Sequence, residues 1–355
     1  MKTGRFPGRD WERAKPAEAG MDPARLEQAV TLFDEQTGAK GGRLVVVRSG
    51  RVVLEHDRHM ESDPKLPIAS AAKSVYACVL GAVIAEGKLA SADERVLDYY
   101  PEMMDVADGQ GNKPGRYAFE ANRAITFRHL ICNVSGYMKP GEAQGQVFNY
   151  QTWGMNILTH ALAKIYGLYD ANDPEGAPGF KRLIEEKIAG PIGADWDYEY
   201  MLTRTAKLSD RLHAGARLDV FGYYTQVRTT PLDLARFGWL CCNWGRWSDT
   251  QVVPEQWMRE ITVTAPDILA NCPEAEWMYG HGIWTNDQGK IWPNLPREAF
   301  TANGAGGHYA TVFPSSKLVV VQSPGRLRGG GDRSQLANPD LLERILTAVE
   351  EEVPA

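Results

Sequence analysis

"LPIASAAKSVYACVLGAVIAEGKL", residues 66 to 89, is the stretch whose reading decides the fold. Val75, Val79, Leu80, Val83 and Ile84 recur at helical spacing, and Gly87 supplies a stop. Ser70 stands at the start, with Lys73 three residues on. A lysine in a first turn faces the positive end of the helix dipole, an unfavourable place for a solvated charge. Side chains at i and i+3 share one face. A serine hydroxyl is a poor nucleophile at neutral pH and needs a base beside it. Lysine serves as that base once burial or nearby positive potential brings its pKa well below ~10. The pattern therefore marks Ser70 as a candidate nucleophile and Lys73 as its proton partner, with the Lys73 pKa depressed. Free amides of a first turn also help to hold an oxyanion. The competing role for Ser70 is helix capping. A second match to the same spacing, Ser62-Asp63-Pro64-Lys65, reads as loop because of Pro64 and its polar neighbours.

The totals bound what surrounds this helix. With 355 residues, 43% hydrophobic and 24% charged, the chain can bury a sizeable core as one large domain or two packed ones. The net charge of -6, from 39 basic and 45 acidic residues without long blocks, argues against a nucleic-acid partner. No apolar run approaches the roughly 18 residues that span a bilayer, and the N-terminus has no apolar core of a secretory signal. Five cysteines without metal-type spacing point to reduced thiols and a cytoplasmic protein. Cys78 and Cys132 lie in apolar helical surroundings and read as core residues.

Outward from residues 66–89, "AGMDPARLEQAVTLFDEQTG" (19–38) predicts a helix capped by Asp22, with Pro23 in its first turn. "RLVVVRSG" and "RVVLEH" predict a hairpin turning at Ser49-Gly50. Further helices are expected at about 151–166, 179–188 and 230–243. Strand patterns return at 278–286, 308–314 and 317–324, and "NPDLLERILTAVEEEV" closes the chain as an amphipathic helix. Strands at both ends around a helical middle imply a mixed α/β (α+β) fold with an antiparallel sheet built from the two termini. Residues 20–62 and 275–355 would form the sheet lobe and 63–274 a mainly helical lobe, together one catalytic unit. A ligand site is expected in the cleft between them.

Several blocks carry a family resemblance. "LPIASAAKSVYACVLGAVIAEGKLASADERVLDYYPEM", "AITFRHLICNVSGY" (124–137), "TTPLDLARFGWLCCNWGRW" (229–247) and "GAGGHYATVFPSSKLVVV" (304–321) occur in one order along the chain. This series resembles the serine β-lactamase / penicillin-binding-protein superfamily, and within it the class C β-lactamase-like branch with its esterase and amide-hydrolase relatives. The resemblance implies that Tyr150 in "VFNYQTWG" opens the second family motif, Tyr-x-Asn, and shuttles protons with Ser70 and Lys73. The motif's asparagine falls on Thr152. The third motif, Lys-Thr-Gly or His-Thr-Gly, falls on Ala302-Asn303-Gly304. Gly304 keeps the glycine that lets backbone approach substrate, and the cation is replaced by Ala302. By the same analogy the amides of Ser70 and Ala305 form the oxyanion hole. A cation at residue 302 would pair with a substrate carboxylate, so Ala302 shifts the expectation from β-lactams towards less acidic esters and amides.

Other features are weighed against that reading. His308 reads equally as a cleft residue or a half-exposed strand residue, and His281 as structural. Thr152, Trp153, Asn303, Gly304 and His308 are the candidate substrate contacts, and Trp284 a further candidate for an apolar acyl pocket. "GRLRGGGDRS" (325–334) lacks the Lys-Ser/Thr of a phosphate loop and reads as surface loop. No metal-ligand spacing, dinucleotide fingerprint or Gly-x-Ser-x-Gly elbow is present. The expectation is a cofactor-free, metal-free serine hydrolase for a small-molecule ester or amide, working through a Ser70 acyl-enzyme. A β-lactamase or D-Ala-D-Ala peptidase stands as the alternative within that class. A non-catalytic binding protein on the same fold stands outside it.

Overall fold

The computed structural model describes residues 5–60, 65–111, 114–170, 177–200, 220, 224–324 and 338–350. Residues 62–64 of the second Ser-x-x-Lys match, and the glycine-rich segment 325–334, lie outside them. Helix α1 (Pro23–Thr37) starts as expected, with the Asp22 carboxylate accepting from the amides of Ala24 and Arg25. Strands β1 (Gly42–Arg48) and β2 (Arg51–Arg58) form the hairpin, with Ser49 and Gly50 both at positive φ. The main sheet, in spatial order, is β2, β1, β11 (Leu318–Gln322), β10 (His308–Phe313), β9 (Phe300–Gly304) and β8 (Trp284–Thr285). All its pairs are antiparallel, and β1 lies directly against β11. The sheet is thus assembled from both ends of the chain.

Alternation along the strands sorts side chains between two cores. Leu44, Val46, Tyr309, Phe313, Leu318 and Val320 pack in one core with residues of α1 and of α10 (Pro339–Thr347). Val45, Val47, Ala302, Ala310, Val312, Val319 and Val321 face the other, larger core. That face is covered by α7 (Pro231–Cys242), which lies close enough that a Cβ on Gly238 would sit 2.5 Å from Val319 Cγ1. The sheet therefore draws its second cover from inside the segment read as the helical lobe.

The helical layer comprises α2 (Ala72–Ala85), α3 (Phe127–Ile131), α4 (Trp153–Ile165), α5 (Gly179–Ile184), α6 (Gly190–Ile192), α8 (Glu255–Ile261) and α9 (Pro266–Asn271). It also holds a small sheet, β3 (Leu66–Pro67), β5 (Thr225–Thr229) and β4 (Asp197–Tyr200), which the sequence did not announce. Helix α2 is apolar on every side and every residue from Ala72 to Val83 is buried, as befits a central core helix. Trp257 of α8 packs against Gly81 and donates from Nε1 to the Ala77 carbonyl at 2.8 Å. All five cysteines are free and buried, Cys78 and Cys132 in the larger core as expected. Among the described residues no helix is long and apolar enough to cross a membrane.

One strand prediction needs correcting. Residues 278–286 are strand only at Trp284–Thr285. Two glycines fold the segment tightly before that point. A Cβ on Gly280 would lie 2.2 Å from the Ile261 carbonyl oxygen, and Gly282 has φ 75° with the Lys73 carbonyl against it. Between them His281 is fully buried, its Nε2 accepting from Arg128 Nη1 at 2.7 Å. Arg128 also pairs with Asp93 and Glu260. Burial and then the adjacent guanidinium push the His281 imidazole down to about 3.

Two predictions follow from this packing. Gly81→Ala gains about 1 kcal/mol of helix propensity, but it overlaps a Trp257 ring pinned by its own hydrogen bond. The net result should be a loss of about 1–3 kcal/mol in urea unfolding. His281 titrates lower in the folded chain than its ordinary 6.5, so the unfolded state binds more protons between pH 6.5 and about 3. Stability should fall as pH drops through that window, by on the order of 3–5 kcal/mol in total. A stability–pH profile whose slope is unchanged in His281→Gln would reject that assignment.

Candidate active site

The site starts from a strained turn. Ala69 has φ 49°, a left-handed conformation that costs a non-glycine residue about 1 kcal/mol or more. A 3-10 turn over Ala69–Ala71 then leads into α2. Ser70 sits inside this turn, and no side-chain capping hydrogen bond is made at either helix start. The capping role is therefore not the one it plays. Its Oγ instead accepts from Lys73 Nζ at 2.9 Å. Tyr224 holds the turn from behind, donating from its buried hydroxyl to the Ala69 carbonyl at 3.1 Å.

Lys73 is 1% exposed. Its Nζ lies 4.6 Å from the centre of the Tyr150 ring and 5.4 Å from that of Tyr224. Burial pulls the Lys73 pKa down. The attraction of the Tyr150 and Tyr224 oxygens, in their phenolate form, outweighs that pull, and the net direction is up. This corrects the expectation of a depressed lysine. The dipole and burial argument treated the amine alone, whereas the structure sets it between two phenols that favour its cation. No carboxylate takes part among the groups that shift it. An amine that donates to Ser70 Oγ leaves the serine's own O–H free to turn to another acceptor.

Tyr150 stands on a loop three residues before α4, 37% exposed. Asn133 fixes this loop: its Oδ1 accepts from the Gln151 amide at 3.0 Å and its carbonyl from the Asn149 amide at 2.8 Å. Its Nδ2 donates to the Tyr279 hydroxyl at 3.1 Å. The Tyr150 ring lies 5.7 Å from Tyr279 and 5.5 Å from Trp284.

Strand β9 closes the other side. Strand β8 pairs with it only at Phe300 and Thr301, so among the described residues no strand lies on the outer edge of Ala302–Gly304. A Cβ on Gly304 would lie 1.9 Å from the Ile68 carbonyl oxygen and 3.1 Å from the Ala71 amide nitrogen. Only glycine fits there. That close approach brings the exposed Ala305, the next residue, beside the Ser70 turn, where the two backbone amides were expected to act together.

The remaining candidates divide. Ala302 is buried in the larger core, so no cation stands at that position. Alternation turns the Asn303 side chain to the opposite face, level with Tyr309, which removes it from the substrate contacts and leaves its backbone at the open edge. Trp153 is 5% exposed and belongs to the core, also a correction: as the first residue of α4 it turns inward, and the half-buried Trp284 takes the place beside Tyr150. Thr152 flanks α4 and makes no capping bond. The polar contacts at this point run through Gln151, whose Nε2 donates to Ser135 Oγ at 3.4 Å. His308 is buried, opposite Gly304 in register, with Nδ1 2.9 Å from Ser323 Oγ. Burial pushes it down to about 4, so at neutral pH it is an uncharged imidazole. Tyr224, Asn133 and Tyr279 were not anticipated. Each acts across more than a hundred residues of sequence or through a backbone carbonyl, and no local spacing signals that.

Comparison with known proteins bears on the fold. A putative beta-lactamase from Bacteroides dorei DSM 17855 is similar in structure, with TM-score 0.65 and 19% identity over 93% of this chain and 99% of that one. A putative 6-aminohexanoate-dimer hydrolase from Bacillus anthracis superposes with TM-score 0.55 and 16% identity, covering 97% of this chain and 87% of its own. EstCE1, described as a hydrolase with promiscuous acyltransferase activity, gives TM-score 0.59 and 14% identity over 92% and 98%. At these identities the likeness establishes the beta-lactamase-like fold. No curated protein matches the chain in sequence. The beta-lactamase family model matches residues 26–333, and the chain belongs to that family.

Proposed function

We propose that the protein is a serine hydrolase that cleaves a small ester or amide through an acyl-enzyme on Ser70, with carboxylesterase-like chemistry foremost. The observation that carries this reading is the 2.9 Å contact between Ser70 Oγ and a buried amine that has no carboxylate partner among the described residues. A buried lysine with a purely structural role would ordinarily be paired with an acid.

Ser70 Oγ attacks the carbonyl carbon as its proton leaves for the Lys73–Tyr150 pair. With Lys73 as the cation, Tyr150 takes that proton in its phenolate form and becomes the neutral phenol, the adjacent ammonium having balanced the phenolate's charge. The carbonyl oxygen becomes an oxyanion between the amides of Ser70 and Ala305. Collapse breaks the bond to the leaving oxygen or nitrogen, which takes the proton back from Tyr150. Water then repeats the sequence on the acyl-enzyme and restores Ser70. An alcohol or amine in place of water would give acyl transfer through the same intermediate. Burial of Ala302 in apolar core supports uncharged substrates over β-lactams, because nothing at that position answers a carboxylate.

Ser70→Ala should abolish turnover of p-nitrophenyl butyrate and labelling by a fluorophosphonate while its circular dichroism stays native. Lys73→Ala and Tyr150→Phe should each lower kcat by about 10²–10⁴-fold, and the double variant by little more than the worse single. Unreduced turnover in Ser70→Ala sinks the mechanism. Nitrocefin hydrolysis faster than ester hydrolysis would instead favour the β-lactamase alternative. Tyr224→Phe frees the Ala69 carbonyl, and kcat should fall about tenfold or more with KM little changed as the serine turn loosens; equal kcat would relegate Tyr224 to packing.

A further inference from the structure

The aromatic groups beside Tyr150 are built into the same frame as the nucleophile. Ser74, next to Lys73 on α2, donates from Oγ to the Gly282 carbonyl at 2.8 Å. Gly282 in turn packs directly on the Lys73 carbonyl. The segment so anchored carries Tyr279 at one end and Trp284 at the other, bridged to each other and 5.1 Å apart between ring centres. Phe148 joins them at 5.2 Å from Tyr279 and 6.5 Å from Trp284. Tyr279 is wholly buried, Trp284 partly open and Tyr150 37% exposed. The cluster thus runs from the core out to the mouth of the site. Pairing of Trp284 with Thr301 places its ring where β8 ends and the open edge of β9 begins.

This geometry also says which part of a substrate meets the cluster. In the proposed mechanism Tyr150 returns its proton to the leaving atom, so the leaving group must end within hydrogen-bond reach of the Tyr150 hydroxyl. Whatever that group carries then lies against the rings packed around Tyr150. Flat apolar groups are what such surfaces hold best, by offset or edge contacts. We propose, building on the serine-hydrolase reading, that Trp284 is a specificity-determining residue and that the preferred substrates are esters of aromatic alcohols. The selectivity lies on the leaving-group side.

The test uses the full-length chain and esters of alcohols of similar acidity, followed by proton release in a pH-stat. Benzyl acetate should exceed ethyl acetate in kcat/KM by roughly three- to tenfold. Ethyl phenylacetate, with its ring on the acyl side, should show no comparable gain. In Trp284→Ala the benzyl-to-ethyl ratio should collapse to about one, and Trp284→Phe should restore much of it, a readout that loss of stability alone would not produce. A ratio near one in the unaltered protein, a ratio unmoved by Trp284→Ala, or a larger gain for ethyl phenylacetate each overturns the assignment. In those cases the ester turnover itself leaves the serine mechanism standing. Absence of both ester turnover and Ser70 labelling takes down the mechanism, and this assignment with it.

Discussion

A buried amine with no carboxylate beside it among the described residues is the constraint around which the rest of the site is organised. Two tyrosines lie against Lys73 and push it towards its charged form, and Ser70 Oγ accepts from it. Each of those partners needs its own support. Tyr150 depends on the loop pinned by Asn133, and Tyr224 lies immediately before β5, the strand that flanks β3. Ser70 depends on a left-handed alanine that its surroundings must hold against its preference. A charge this costly to bury remains only where the surrounding groups were arranged for it.

The turn that bears Ser70 also explains why the sheet ends as it does. Gly304 meets the Ile68 carbonyl with no room for a side chain. Strand β9 can approach α2 that closely only because β8 stops after two residues and leaves its outer edge uncovered. The short β8 and the glycine are two halves of one arrangement: the first opens the edge and the second brings it against the Ser70 turn.

Much of the fold was legible from periodicity. The Asp22 cap, the Ser49-Gly50 hairpin and the two terminal strands that meet in one sheet are local signals, and local physics enforces them. Helical spacing singles out Ser70 and Lys73 and the linked motif blocks add Tyr150, and the structure places the three side chains near one another. The sequence was misleading where an outcome depends on partners remote in the chain. Lys73 was expected to lose its charge since nothing nearby in sequence announces Tyr224. Trp153 looked available because the direction in which α4 rotates is set by packing, whereas Trp284 occupies the rim through a pairing with Thr301 that no local pattern encodes. Residues 278–286 carry strand-forming side chains, yet two glycines fold most of them into a tight loop.

The pairing of β1 with β11 has a consequence for how the molecule comes into being. On a ribosome the hairpin β1–β2 emerges early, and one side of β1 stays bare until β11 has been made. Almost the entire helical layer is made in the interval while that edge of β1 stays unpaired, and the glycine that packs on the Ser70 turn arrives only with β9. Closure of the sheet is therefore a late event in biogenesis, and truncated or stalled chains would expose apolar strand faces for quality control to recognise.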